Sequence, residues 1–571
     1  MPELYDKLNE LAQSDYYPFH MPGHKRNEQA APFGDIFDLD ITEIDEYDNL
    51  HDASGIIKNA QDRANKLYGA DDTFFLVNGS TCGILSSIFA VCKDYDKLVT
   101  SRNCHKSLYH AAYLRKLDLK FVFPEYLNEY GFFGKILPEK IEEVITEDTK
   151  AVFITSPTYE GIVSDIESIV KIAHTKKIPV IVDEAHGAHF AMDKSMPQSA
   201  LEAGADIVIH SVHKTTAAMT QTALLHVQGN IVDRGQIRRY LRIFQSSSPS
   251  YVLMASIDNA VEEMEKNGHL LSEKLNSYNE KIIKKTQDCR YINVLGKDLI
   301  DDPGKIVICV RDDVISGEEL YKILREKFHL QMEMAGEKHV LAIITGYDSS
   351  IGIDRLVSAL NEIDAELVNK SKHILNSVNK VTIRNKTSKR NNSEQNFIKE
   401  DNSTEGDFIK GANSIEEDDF IKEANSIEGD FIKGANSKEE SNFVKEENFV
   451  KTEDTINKTI YTVEDNLDVI SSYGEIIKEN ASRGNSFELP EKKLSIFEAW
   501  DKNYNLTKID DAVGLISGDF VNLYPPGIPL IVPGEIISKA FINSIKEYIK
   551  KDMNIQGIVE DRYFQKCLKT L

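Results

Sequence analysis

Three short apolar runs rich in β-branched residues constrain this chain most: AVFITS at Ala151–Ser156, PVIVD at Pro179–Asp183 and DIVIH at Asp206–His210. Between the first two, Ser164–Lys177 sets Ile166, Ile169, Val170 and Ala173 at helical spacing. Strands that are apolar throughout are covered on both faces, and helices of this length between them make parallel crossovers. The pattern predicts an α/β fold with a mainly parallel sheet and helices on both sides. In such sheets ligands gather at the carboxyl ends of the strands. The polar residues that follow each run are therefore the ones to read for chemistry.

At 571 residues the chain exceeds one compact domain, since about 100–200 residues per domain is usual. Residues 1–60 read as an N-terminal arm: a short amphipathic helix, the loop PFHMPGHKR and an acidic stretch from Asp35 to Asp48. Residues 61–245 hold the strand–helix alternation and form the large domain. Residues 246–370 continue as a smaller α/β domain, with apolar strands expected at Lys305–Val310 and Val340–Thr345. Residues 371–459 differ. DFIKGANSIEE at Asp407 returns as DFIKEANSIEG at Asp419 and DFIKGANSKEE at Asp430, and Phe397, Phe408, Phe420, Phe431 and Phe443 recur every 11 or 12 residues. One apolar pair per repeat buries too little to offset the entropy of ordering, so a disordered insertion is expected. A C-terminal α/β domain follows over 460–571, with the single tryptophan, Trp500, and the Pro/Gly-rich segment Leu523–Glu535.

The formal net charge is −25, from 67 basic and 92 acidic residues. Residues 391–454 contribute −11 of it, with 18 Asp/Glu against 7 Lys/Arg. This balance argues against nucleic acid or an anionic membrane as partner. The six cysteines include no CxxC pair, so neither a disulfide framework nor a zinc ribbon is expected. The N-terminus has no signal-peptide pattern, and no run reaches the roughly 18 apolar residues of a membrane span. The reading is a cytoplasmic protein with free thiols.

Asp183 closes one strand, and Lys214 follows another, 31 residues later in HSVHKT. An acid and a lysine at neighbouring strand ends are what pyridoxal 5′-phosphate (PLP) requires. The lysine condenses with its aldehyde, and the acid keeps the pyridine nitrogen protonated. Upstream, the apolar strand in FFLVNGSTCG runs into Asn-Gly-Ser-Thr and then an apolar helix at Ile84–Val91. Ser80 and Thr81 there offer hydroxyls and backbone N–H groups to a phosphate. The GxxxxGK[ST] pattern of a nucleotide P-loop is absent. Ser211 and His213 approach Lys214, where a hydroxyl and an imidazole suit a phosphate or a proton relay. His105, in SRNCHKS, can present a flat ring. His186 and His189 have no metal-binding helical spacing, and no metal is expected.

MPGHK, NGSTCG, RNCHKS, TSPTYEG, VDEAHGAH, SVHKT and YPPGIPLIVPGE occur in this order. Together they resemble the bacterial ornithine/lysine/arginine decarboxylases of PLP fold type I, in particular the shorter Gram-positive form. The resemblance spans residues 1–365 and 460–571. It implies the aspartate-aminotransferase-like fold, with Lys214 as the Schiff-base lysine and Asp183 at the pyridine nitrogen. It implies His105 and Ala185 on the two ring faces, with His186 beside them, and Thr158 near the ring hydroxyl. Ser80, Thr81, Ser211 and His213 would bind the phosphate. Ser247 and Ser248 would reach the phosphate of a neighbouring subunit, making a homodimer or higher homo-oligomer with shared sites. His213 or Lys214 would return the proton to Cα. His24 and Glu535 would lie toward the substrate.

The implied reaction is decarboxylation of a basic amino acid to its amine in polyamine metabolism, with arginine or lysine favoured over ornithine. Another fold type I enzyme, such as an aminotransferase using Arg242 for the carboxylate or a carbon–carbon lyase, is the alternative, as is a catalytically silent homologue. Two features depart from the large enterobacterial members. No wing domain precedes the PGHK arm, and His186 stands where those enzymes share a tryptophan.

Overall fold

The computed structural model describes Asp15, 17–19, 48–372 and 490–571, apart from 524–527, 551, 552, 554, 562 and 564. His24, most of the arm, the phenylalanine repeat and the first part of the C-terminal segment lie outside the described residues.

Seven strands make the large sheet: β1 Asp72–Leu76, β2 Lys97–Ser101, β3 Asp118–Val122, β4 Thr149–Thr155, β5 Val180–Asp183, β6 Ile207–His210 and β7 Ala223–Val227. Their order is β1-β7-β6-β5-β4-β2-β3. β7 runs against both of its neighbours, and the other adjacent pairs are parallel. The three runs read from sequence are β4, β5 and β6, lying side by side.

Strand parity divides the core, because successive side chains leave opposite faces. From β4, Val152 and Ile154 join a cluster with Ile166, Ile169 and Val170 of α4, while Ala151 and Phe153 join Ile84, Ile88 and Leu108 on the other face. Each such fully buried Val, Ile or Phe contributes about 1.5–3 kcal/mol. The helices in use here are α1 Ile56–Tyr68, α2 Gly79–Val91, α3 Lys106–Leu114, α4 Ile166–His174, α5 Val212–Thr215, α6 Arg234–Phe244 and α7 Tyr251–Thr286. Asp165 caps α4 by accepting from Ser168 N. Helix α2 begins five residues earlier than its apolar stretch suggests. Gly79, at φ +73, makes the turn out of β1, and Ser80 and Thr81 sit in the first helical turn. A Cβ on Gly83 would meet Leu76 at 2.7 Å, so this glycine lets α2 pack directly on the sheet.

The 36-residue helix α7 leads to an antiparallel sheet of β8 Ile292–Val294, β9 Lys305–Val310, β10 Met334–Ala335 and β11 His339–Ile343, ordered β8-β9-β11-β10. The strand expected at Lys305–Val310 is β9. β11 occupies most of the second expected run, one residue earlier at its start. The described part of the C-terminal segment forms two three-stranded sheets and two α-helices, Ile496–Trp500 and Lys539–Lys550. Ile496, Phe520 and Val532 of this segment pack into the same cluster as Leu98 and Phe153. Among the described residues, no helix is long and apolar enough to cross a membrane.

Candidate active site

The carboxyl ends of β4, β5 and β6 converge with β9 on one group of polar side chains. Asp183 closes β5, is 3 % exposed, and accepts from Ala185 N at 3.2 Å. Burial raises its carboxyl above the usual range, and the charge of Lys214 opposes that rise. Lys214 follows β6 within α5, and its N–H bonds to Ser211 O at 3.0 Å. Burial lowers the Lys214 amine toward its neutral form, against the pull of Asp183 and Glu333. Its Nζ lies 3.0 Å from His186 Nε2.

His105 is the N-cap of α3, with Nδ1 accepting from Ser107 N at 3.3 Å. Its proton therefore sits on Nε2, and burial, with Lys214 nearby, pushes its pKa down to about 3. This is a neutral ring. His213 Nδ1 lies 2.7 Å from the carbonyl of Thr222, so it donates there and Nε2 keeps the lone pair. Burial lowers its pKa to about 4, so His213 is a neutral ring near pH 7 and acts as an acid only where an adjacent anion stabilises its protonated form.

The donors expected for a phosphate are present. Ser211 Oγ is buried without a hydrogen-bond partner among the described residues. No side chain caps the first turn of α2, where Ser80 and Thr81 lie, so backbone N–H groups there remain to meet an anion. Ser247 and Ser248 form an exposed turn, and the neighbouring Ser246 N donates to Asn78 Oδ1 at 3.2 Å beside that same helix start. Thr158 lies in a buried turn, its N–H donating to Ile162 O at 2.8 Å. Glu535 is committed within the chain: it is 3 % exposed, accepts from Val532 N at 2.9 Å, and meets Arg102 at 3.2 Å.

Several groups at the site had no signal in the linear pattern. Lys305, the first residue of β9, is 0 % exposed, and its Nζ lies 2.7 Å from His186 Nδ1. Asp302 pairs with His189 at 2.9 Å. The Tyr159 hydroxyl donates to Glu333. Glu160 is buried, and its pKa is raised to about 7 by that burial. Gly161, at φ +99, faces the Lys305 stem, where a Cβ would meet Lys305 Cγ at 2.6 Å. Beneath Asp183 runs a buried chain: Glu184 to His210 at 2.7 Å, His210 to His226 at 3.0 Å, and His226 to Thr73 at 2.8 Å. It ties β6, β7 and β1 together behind the site. Arg242 is turned outward, donating to His51 O at 2.7 and 2.9 Å.

Residues 2–344 match the family model for the Orn/Lys/Arg decarboxylase major domain, and residues 488–559 match that family's C-terminal domain. The chain belongs to the Orn/Lys/Arg decarboxylase family. It is 28 % identical to the arginine decarboxylase of Bacillus subtilis (strain 168) over 569 residues, covering 97 % of this chain and 95 % of that one. It is 32 % identical to the arginine decarboxylase of Bacillus anthracis over 383 residues, covering 64 % of this chain and 78 % of the relative. The solved lysine decarboxylase LdcF of Francisella novicida shares the fold, with a TM-score of 0.65 at 19 % identity, covering 100 % of this chain and 81 % of that one. The fold is therefore PLP fold type I, an α/β fold with a mainly parallel sheet.

Proposed function

We propose that this chain decarboxylates arginine or lysine, ornithine being the less favoured substrate, with PLP held on Lys214. The observation that carries the reading is a neutral-leaning amine and a buried carboxylate at adjacent strand ends, Lys214 and Asp183, beside a neutral ring, His105. PLP, when bound, supplies the electron sink for the pair left by the breaking Cα–carboxylate bond. Lys214 provides the amine that anchors the cofactor's aldehyde. Asp183 would face its pyridine nitrogen, and His105 and Ala185 would flank its ring. Ser80, Thr81, Ser211 and His213 would hold the phosphate, and Thr158 would lie by the ring hydroxyl. His186 holds the Lys214 amine in place. Ser247 and Ser248 are exposed, and would reach the phosphate held by a second subunit. The reading is of a homodimer or higher homo-oligomer acting in the cytoplasm on a free amino acid.

The aminotransferase alternative needs an arginine for the substrate carboxylate, and Arg242 is engaged with His51 on the surface. Assay of the full-length protein with arginine, lysine and ornithine separately, without a keto-acid acceptor, tests the reading. Carbon dioxide with agmatine or cadaverine is expected. Transamination products and no carbon dioxide would overturn it.

Asp183→Ala is expected to lose nearly all turnover and keep its melting temperature, because it removes a carboxylate whose burial is itself unfavourable. If Asp183 serves instead as a cap for Ala185 N, the loss is about 1 kcal/mol of stability with turnover retained. Kinetics and thermal melts on the same preparation separate the two.

A further inference from the structure

His186 lies between two lysines. Its Nε2 is 3.0 Å from Lys214 Nζ, and its Nδ1 is 2.7 Å from Lys305 Nζ. A neutral imidazole has one N–H and one lone pair. Burial holds this ring neutral, and Lys214, Lys305, His213 and His105 reinforce that. It can therefore accept from one amine only while it donates to the other. The amine that receives the N–H must present a lone pair. The satisfied arrangement is one ammonium, one neutral ring and one free amine. Its mirror differs only in the ring tautomer and in which lysine is charged.

The surroundings are unequal. Lys305 faces Asp302, Glu160 and Glu333, its stem lies against Gly161, and its Nζ is 5.5 Å from the centre of the Tyr159 ring. The same ring contacts His186 at 4.6 Å. Lys214 faces Asp183 and Glu333. Glu333 acts on both lysines, Asp302 and the partly ionised Glu160 act on Lys305, and Asp183 acts on Lys214, so the extra negative charge lies on the Lys305 side and draws the shared proton there. Burial pushes the Lys305 pKa down to about 8, so its amine is accessible in both protonation forms near neutral pH and the proton shift can run in either direction.

We propose that Lys305 is the proton partner of Lys214: through the His186 ring it takes the lysine's proton, leaving Lys214 as the free amine that condensation requires. The proton leaves Lys214 Nζ for His186 Nε2 while the Nδ1 proton passes to Lys305 Nζ. The ring changes tautomer, and no net charge is created. The reverse shift returns a proton to Lys214. Lys305 is a positioning residue here, acting through His186, and the inference rests on Lys214 being the condensing lysine. His186 is also the residue that departs from the large enterobacterial pattern, so the device is specific to chains with a histidine there.

The test reads Lys214 without turnover. Full-length protein freed of cofactor is mixed with pyridoxal 5′-phosphate, and the rate of uptake is followed against pH, with Lys214→Ala as the blank. Lys305→Met is expected to raise the midpoint of that profile by one pH unit or more, slowing uptake about tenfold at pH 7. Lys305→Arg, which keeps a charged donor on His186 Nδ1 but cannot take a proton, is expected to fall short of the wild-type midpoint. His186→Phe is expected to shift it in the same direction as Lys305→Met. A Lys305→Met midpoint equal to wild type overturns the proposal. A shift in Lys305→Met with none in His186→Phe also overturns it, because charge alone then acts across space. If Lys305→Met does not fold, the His186→Phe profile decides alone. Rapid uptake by Lys214→Ala would instead remove the assignment of Lys214 and leave the Lys305 question apart.

Discussion

Lys214→Ala is expected to give a folded, colourless protein that releases no carbon dioxide from arginine, lysine or ornithine. Removing the group that anchors the cofactor and exchanges with the substrate amine eliminates the covalent route, a loss on the order of 10⁴-fold or more by analogy with other covalent catalysts. Stability should not fall with activity. Burial holds the Lys214 amine below its usual range, so the folded chain binds that proton less tightly than the unfolded chain. Stability then carries a penalty that grows as pH falls from lysine's ordinary value of about 10.4 and levels off below the folded value. The alanine variant lacks that penalty. Cofactor-free protein should therefore melt no earlier than wild type at pH 7. Absorbance after borohydride reduction, carbon dioxide release and thermal melts report the three parts separately. A variant with wild-type turnover would remove Lys214 from the mechanism. A variant that is inactive because it is unfolded would make Lys214 a packing residue.

How much of this was legible before folding depends on where each group sits in its element. Runs such as AVFITS and PVIVD are readable because a strand covered on both faces has no polar position to interrupt it. Asp183, Lys214, Ser211 and His105 are readable because they are polar residues placed where those runs stop. Lys305 has the same chemistry and was missed. It precedes IVICV, and a lysine at the start of an apolar strand reads as a solvated end. It is buried because Gly161, in a turn after β4, lies against its stem. That approach joins the turn after β4 to the first residue of β9 and leaves no mark on either sequence segment alone. Glu333 and Asp302 were missed for the same reason. Glu535 was singled out by its motif and placed toward the substrate. Its partner Arg102 lies 433 residues away, a separation across which no periodicity or spacing connects two charges.

That pair is the site of the second large effect, this time on stability. Arg102→Met is expected to destabilise the protein by about 3–5 kcal/mol, the range for removing one member of a buried ion pair. Both side chains are almost fully enclosed, at 4 % and 3 % exposure. The guanidinium also donates to Tyr109 Oη at 2.9 Å and to Pro529 O at 2.8 Å, which ties the end of β2 to the C-terminal segment. Burial raises the Glu535 carboxyl, and Arg102 pulls it back. Without the arginine, the carboxyl rises further. A carboxyl raised in the folded state binds its proton more tightly there than in the unfolded chain. The variant should therefore lose stability as pH climbs from the ordinary glutamate value of about 4.3 toward the new folded value. The gap from wild type should be smaller at pH 5 than at pH 8. Glu535→Gln should follow the opposite logic, leaving an arginine that cannot shed its charge, so its deficit should persist at pH 5. Urea melts of both variants at the two pH values decide the matter. A loss below about 1 kcal/mol in both, at either pH, would show that the pair behaves as an exposed one does.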